Sequence, residues 1–324
     1  MTQRAVTDRN FGELPAAETK PTVSPNRGRL VVVAAPYLWL ASFFLLPFLI
    51  VFKISLSVPE LAMPPYSPQF TTQHGWQGMT EFLGALTLEN YWRLYEDPLY
   101  VASYLSSVRI AAISTFITLL LGYPIAYAMA RAPKPWQPVL MIGVVLPFFS
   151  SLLIRIYAWI GILKPEGLLN HFLAWLGLID RTNPIDIFNS ETAVIIGIVY
   201  SYLPFMILPL YATLEKIDIS LLEAAQDLGC TPTGVFWRIT FPLSMPGVIA
   251  GSLLVFIPAI GEYVIPDLLG GSETLMIGKQ LVNEFYVNRD WPAASAVAVV
   301  LLIVLVVPIA CYQKILERRL AQPQ

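Results

Sequence analysis

Charge is what this chain has least of. Asp, Glu, Lys and Arg make up 13% of its 324 residues, against ~25% in an ordinary soluble protein, so a water-solvated globular fold is excluded. Cysteine and histidine number two each. Cys230 and Cys311 supply no disulfide framework. His74 and His171 lie far apart without metal-ligand neighbours, so they read as solvated or interfacial residues and no metal site is expected. No Gly-x-x-x-x-Gly-Lys-Ser/Thr loop occurs, so any ATP that drives this chain must be bound by another. A cleavable signal is not expected either, because the first apolar run is too long for a signal core and lacks a small-residue cleavage site. Internal repeats are absent, which speaks against the inverted-repeat design of many secondary carriers. No nucleophile–base pair is evident, which sets aside an intramembrane enzyme.

What is present is hydrophobic, at 56% of the residues. Six runs carry no charge at all: 30–52, 110–130, 135–154, 192–214, 239–261 and 291–313. Each holds about 20 residues or more, enough at ~1.5 Å per residue to cross ~30 Å of hydrocarbon. Lipid offers no partner to backbone N–H and C=O groups, so the runs must be helices. The expected architecture is an all-α polytopic membrane protein with six transmembrane helices over residues 29–318. Residues 1–28 read as a disordered tail, being polar and aperiodic, and 319–324 as a short C-terminal tail. Lipid is then the first partner, and a net charge of −2 gives no reason to expect nucleic acid.

The cations are unevenly shared. Twelve Lys and Arg residues fall in the N-terminal tail, the second–third connection, the loop between the fourth and fifth runs, and the C-terminal tail; five fall in the three opposite connections. The positive-inside rule therefore places both termini, and the loop at 215–245, in the cytoplasm. On the outer side, prolines 59, 64, 65 and 68 break up the start of the 57–100 connection, and 88–95 reads as an aromatic-rich interfacial helix. A second short outer helix is expected at 168–176. Arg109 and Arg155 stand near outer ends of spans, where snorkelling is the simplest expectation.

The loop at 215–245 reads as a folded element. Ser220 and Glu223 have capping-box spacing at a helix start, and Gly229 suits the left-handed residue that closes such a helix. Thr231-Pro232 restarts one, with proline where its missing N–H costs nothing, and Pro242 is expected to end it. Leu221, Leu222, Ala225 and Leu228 need a surface to lie against. Glu223-Ala224-Ala225, then Gly229, then Ile239-Thr240-Phe241-Pro242 resembles the EAA signature of bacterial ABC-importer permeases. Phe241 stands where that family usually has Leu, a change that keeps the bulk. The resemblance implies the type I importer permease fold and a coupling helix docked on a cytoplasmic ATPase dimer, so that Ser220, Glu223, Ala224, Ala225, Gly229, Ile239 and Pro242 become coupling residues. It also implies location in the bacterial inner membrane and ATP with magnesium on the partner ATPase, none on this chain.

Further segments are similar to polyamine permeases, most of all those of putrescine importers: 45–55, 153–163, 288–292, and 258–271 with Gly261-Glu262-Tyr263-Val264-Ile265-Pro266-Asp267. The similarity covers about residues 30–310. It implies a second homologous permease subunit, a periplasmic polyamine-binding protein that sets most of the selectivity, and a putrescine or spermidine cargo. An acidic residue inside an apolar stretch needs a partner or a watery cavity. Glu262 and Asp267 are thus candidate substrate-path residues for a passing ammonium, with Tyr263, Trp159 and Tyr202 offering ring faces. An internal ion pair of Glu262 with Arg155 or Arg109 is the competing expectation. Two other functions stay open: a permease for an opine or related amine, and a self-sufficient channel or ion-driven carrier.

Overall fold

The computed structural model describes residues 27–69, 83–180 and 182–320. The chain divides into two compact units, one ending at Ile50 and one beginning at Val51. His74, residues 1–26 and residues 321–324 lie outside the described part, as does most of the expected N-terminal tail. The first unit holds helix α1 (Arg27–Leu40), a π-helical turn (Ala41–Leu45) and the start of α2 (Leu46–Ser55). Its large side chains, among them Trp39, Phe43 and Leu46, are exposed.

In the second unit a small antiparallel hairpin, β1 (Val58–Pro59) with β2 (Tyr66–Ser67), pairs Val58 with Ser67. Then come α3 (Glu89–Glu96) and the long α4 (Pro98–Arg131), started by the Asp97 carboxylate, which accepts from Leu99 N–H at 2.9 Å. The chain continues through α5 (Gln137–Val145), a 3₁₀ turn (Leu146–Phe149), α6 (Leu152–Leu163) and α7 (Leu168–Trp175). After α8 (Glu191–Leu214) come α9 (Ile219–Asp227), α10 (Pro232–Val235), a π turn (Phe236–Thr240) and α11 (Phe241–Ile260). The last elements are α12 (Val264–Leu269), α13 (Ile277–Val282), a π turn (Asn283–Val287) and α14 (Trp291–Leu320). The short outer helices expected at 88–95 and 168–176 are α3 and α7.

Six transmembrane helices were expected, and the structure differs in the third. Among the described residues four stretches are long and apolar enough to cross a membrane: Val32–Ser55, Pro98–Arg131, Glu191–Leu214 and Pro232–Ile260. The third run is a pair of helices bent by 88° between Phe149 and Leu152, a fifth span if the pair counts as one. Pro147 and the extended backbone of Ser150 and Ser151 make the bend, and the Ser150 hydroxyl bonds the Pro147 carbonyl at 2.6 Å. The sixth run lies within α14, helical from Trp291 to Leu320.

Pro242 also behaves differently from expectation: it ends nothing. Helix runs through it from Pro232 to Ile260. A π turn immediately precedes it, and Phe241 N–H reaches back to the Phe236 carbonyl. Pro47 repeats the arrangement, with Leu46 N–H bonded to Ala41 O. A proline ring clashes with the carbonyl four residues back, and widening the preceding turn by one residue moves that carbonyl aside.

Helices α4, α8 and α11 pack most extensively on one another, and small residues set the spacing, as befits a bundle in lipid. A Cβ on Gly251 would stand 2.8 Å from Met206 Sδ and 3.0 Å from its carbonyl oxygen. One on Gly247 would stand 2.7 Å from Thr213 Oγ1 and 2.9 Å from Pro209 O. Gly251→Val should therefore destabilise the protein in detergent by about 1–3 kcal/mol. Met206→Ala should relieve this only in part, because the backbone oxygen stays in place. Gly143→Ala, with open space around its Cβ, should leave the thermal midpoint unchanged in the same melting assay.

Candidate functional site

The loop at 215–245 is built by its own caps. Asp218, not Ser220, is the N-cap of α9: its carboxylate accepts from Ser220 N–H at 3.0 Å, and that bond holds the carboxyl below the usual carboxylate range. The expected Ser220–Glu223 capping box does not form, since Asp218 stands two residues ahead and captures the first free amide. At the other end Gly229 has φ +86°; its N–H bonds Gln226 O at 2.8 Å, and Cys230 N–H bonds Ala225 O at 3.0 Å. These two bonds are a Schellman closure. Thr231 then caps α10, its hydroxyl accepting from Gly234 N–H at 3.2 Å, with Pro232 at the first helical position.

The loop has two faces. Leu222, Ala225 and Val235 are buried, in one cluster with Met129 of α4 and Met206, Leu210 and Leu214 of α8. Ser220, Glu223, Ala224 and Gly229 are exposed, as is Pro242, while Ile239 is half-buried. Of the four apolar side chains expected to seek a surface, Leu222 and Ala225 find it within the chain; Leu221 and Leu228 stay 52% and 87% exposed. The loop thus has an apolar base seated in the bundle and an apolar and acidic face left exposed.

At the far end of α11 the structure gathers some of the expected substrate-path residues and separates others. Glu262 is buried, and its Oε2 accepts the Tyr202 hydroxyl at 2.6 Å. Its Oε1 accepts Tyr263 N–H at 3.2 Å and Val264 N–H at 3.0 Å, at the start of α12. Neither arginine pairs with it among the described residues. Arg109 is bonded to Glu191, and the Arg155 guanidinium lies 6.0 Å from the Phe148 ring centre. Trp159 meets Tyr200 edge-on at 5.4 Å and, like Tyr202, packs on the cluster around Ile156, Ile198 and Ile260. Tyr263 is 46% exposed. Asp267 is apart from these, exposed and 3.6 Å from Lys279 Nζ.

A second buried carboxylate escaped the sequence reading. Glu284 accepts the Tyr100 hydroxyl at 2.7 Å, Gln280 Nε2 at 3.0 Å and Asn288 Nδ2 at 2.9 Å. Beside it Arg93 and Asp290 form an ion pair of 2.7 Å, which raises the arginine's pKa. An acidic residue amid Leu281, Val282, Phe285 and Val287 was its one sequence signal.

These features define an integral membrane protein built on an apolar helical bundle with a structured loop at one end. The chain belongs to the family of binding-protein-dependent transport system inner membrane components, whose pattern matches residues 115–322. It is a transport permease, not an enzyme. Over 297 residues, 91% of this chain and 97% of the relative, it is 40% identical to the spermidine/putrescine transport system permease protein PotB of Haemophilus influenzae. It is 48% identical to PotB of Escherichia coli over 219 residues, 68% of this chain and 78% of that one. Its fold matches, with a TM-score of 0.65 and 15% identity, a chain of a bacterial alginate ABC transporter crystallised with its alginate pentasaccharide-bound periplasmic protein, covering 90% of this chain and 94% of the other.

The loop geometry makes a direct prediction. Gly229→Val should place a β-branched residue at positive φ, costing about 1–2 kcal/mol, and should speed hydrogen exchange at the amides of 229 and 230. Gly229→Asn, which tolerates the left-handed region, should exchange nearly as slowly as the unchanged chain.

Proposed function

We propose that this chain is one of two permease subunits of an ATP-driven polyamine importer, carrying putrescine, spermidine or both by alternating access. The observation that carries the reading is the two-faced loop at 215–245: Leu222 and Ala225 root it in the bundle while Glu223, Ala224 and Leu228 face outward. Similarity to PotB along 91% of the chain supports the cargo class. An ATPase dimer holding ATP and magnesium would press on that outer face. A second homologous permease would complete the pathway, and a periplasmic polyamine-binding protein would deliver cargo from the other side. The charge asymmetry of twelve cations against five supports placing the loop and both termini in the cytoplasm.

For the cargo, the exposed Tyr263 and Asp267 are the path residues that an ammonium group meets most readily. The Asp267–Lys279 contact is long, with its carboxylate exposed, and such a pair is weak, so it yields to a competing cation. Trp159 adds a ring face, where a cation–π contact is worth ~0.5–2 kcal/mol; Tyr202 is committed to Glu262.

Co-expression with an ATPase, a second permease and a binding protein in cells lacking polyamine uptake should restore accumulation of labelled putrescine or spermidine. Removing any one subunit should abolish it. Glu223→Lys, at an exposed position, should leave the chain in the membrane but lower uptake by about tenfold or more. Uptake by this chain alone would replace the importer reading with a self-sufficient carrier. Uptake of an opine but of neither amine would replace the cargo.

A further inference from the structure

Glu262 sits at a joint between three elements. Upstream, unbroken helix leads from Pro232, in the loop, to Ile260. Gly261 and Glu262 stop it, and two residues later α12 begins. The carboxylate spans the stop. One oxygen holds the first amides of α12, those of Tyr263 and Val264, and the other holds the Tyr202 hydroxyl on α8. On another side α13 presses close: a Cβ on Gly278 would come 2.4 Å from Gly261 O and 2.6 Å from Glu262 O. The joint is thus pinned by side chain and backbone together.

A cation-binding carboxylate and a pinning carboxylate make different demands. The first needs open lone pairs and its charge. The second needs only acceptors in the right places, enclosed by their donors. Glu262 is 9% exposed and already receives three donors, an arrangement of the second kind. Its place at the end of the helix that begins in the loop gives the pin a mechanical role, because displacement of that helix can reach α8 and α12 through it.

We propose that Glu262 is a positioning residue that ties the end of α11 to α8 and α12, and that it transmits movement of the loop without binding the cargo through its charge. The proposal rests on the importer reading above. The test uses the assembled transporter with its binding protein in proteoliposomes, scoring labelled amine uptake and binding-protein-stimulated ATP hydrolysis together. In Glu262→Gln the amide oxygen can accept both backbone N–H groups and the amide nitrogen can donate to Tyr202. This variant should keep uptake within about twofold of the unchanged protein, with the same half-saturating concentration.

Glu262→Ala should lose about tenfold or more in maximal uptake rate at unchanged half-saturation, while hydrolysis continues, and Tyr202→Phe should fall between the two. If Glu262→Ala does not assemble with the ATPase, Glu262→Gln still decides. Loss of uptake in Glu262→Gln to the level of an empty vesicle, or a half-saturating concentration raised about tenfold, overturns the proposal and makes the charge a cargo ligand. Full uptake by Glu262→Ala overturns it as well. Failure of the importer reading is distinguishable, because then the unchanged assembly itself takes up no amine.

Discussion

Hydrocarbon gives a backbone amide or carbonyl nothing to bond, and the irregular points of this fold are where the chain meets that demand. Pro47 and Pro242 each remove a donor inside an apolar helix, and at each a π turn stands just before, with Leu46 and Phe241 amides reaching five residues back. Pro147 breaks the third apolar run outright, and at the break its own carbonyl accepts both the amide and the hydroxyl of Ser150. At 261–263 α11 stops inside the bundle, and the Glu262 carboxylate takes up the amides left over as α12 begins. Side chains obey the same rule: Thr115 and Thr118 return their hydroxyls to carbonyls one turn earlier. One constraint thus accounts for a widened turn, a bend and a cap.

It also explains what could be read in advance. Charge-free runs mark helices because no alternative survives in lipid, so the all-α class and the placement of runs such as 192–214 were legible. Local chemistry was legible where one residue type fits, as at Gly229 with its positive φ and at Thr231-Pro232. Where two neighbours compete, it was not. Ser220 had a partner at the right spacing, but Asp218 reached the free amide first. Proline was misread at 242 because its clash can be met by stopping the helix or by widening it, and spacing does not say which. Partners distant in sequence were the least legible. Tyr202 lies sixty residues before Glu262, and Arg109 chose Glu191; packing decides such pairs.

The connection between the loop and the rest of the bundle is of two kinds, and the difference matters mechanically. Toward α4 and α8 it is packing: Leu222 and Ala225 sit in one cluster with Met129, Met206 and Leu210. Close-packed interiors transmit displacement instead of absorbing it. Toward α11 the connection is covalent helix, continuous from Pro232 to Ile260. Gly247 and Gly251 bring that helix against the backbone of α8 at Pro209 and Met206, so the two can slide or tilt only together along their inner parts. A force on the outer face at Glu223 therefore meets a stiff block. At the far end of that block regular helix lapses again, at Gly261–Glu262. There the link between α11, α8 and α12 is a set of three hydrogen bonds to one carboxylate. Each is worth only about 1–3 kcal/mol, but all three converge on one buried side chain, and the close approach of α13 at Gly278 backs them, so displacement of α11 is passed on to α8 and α12.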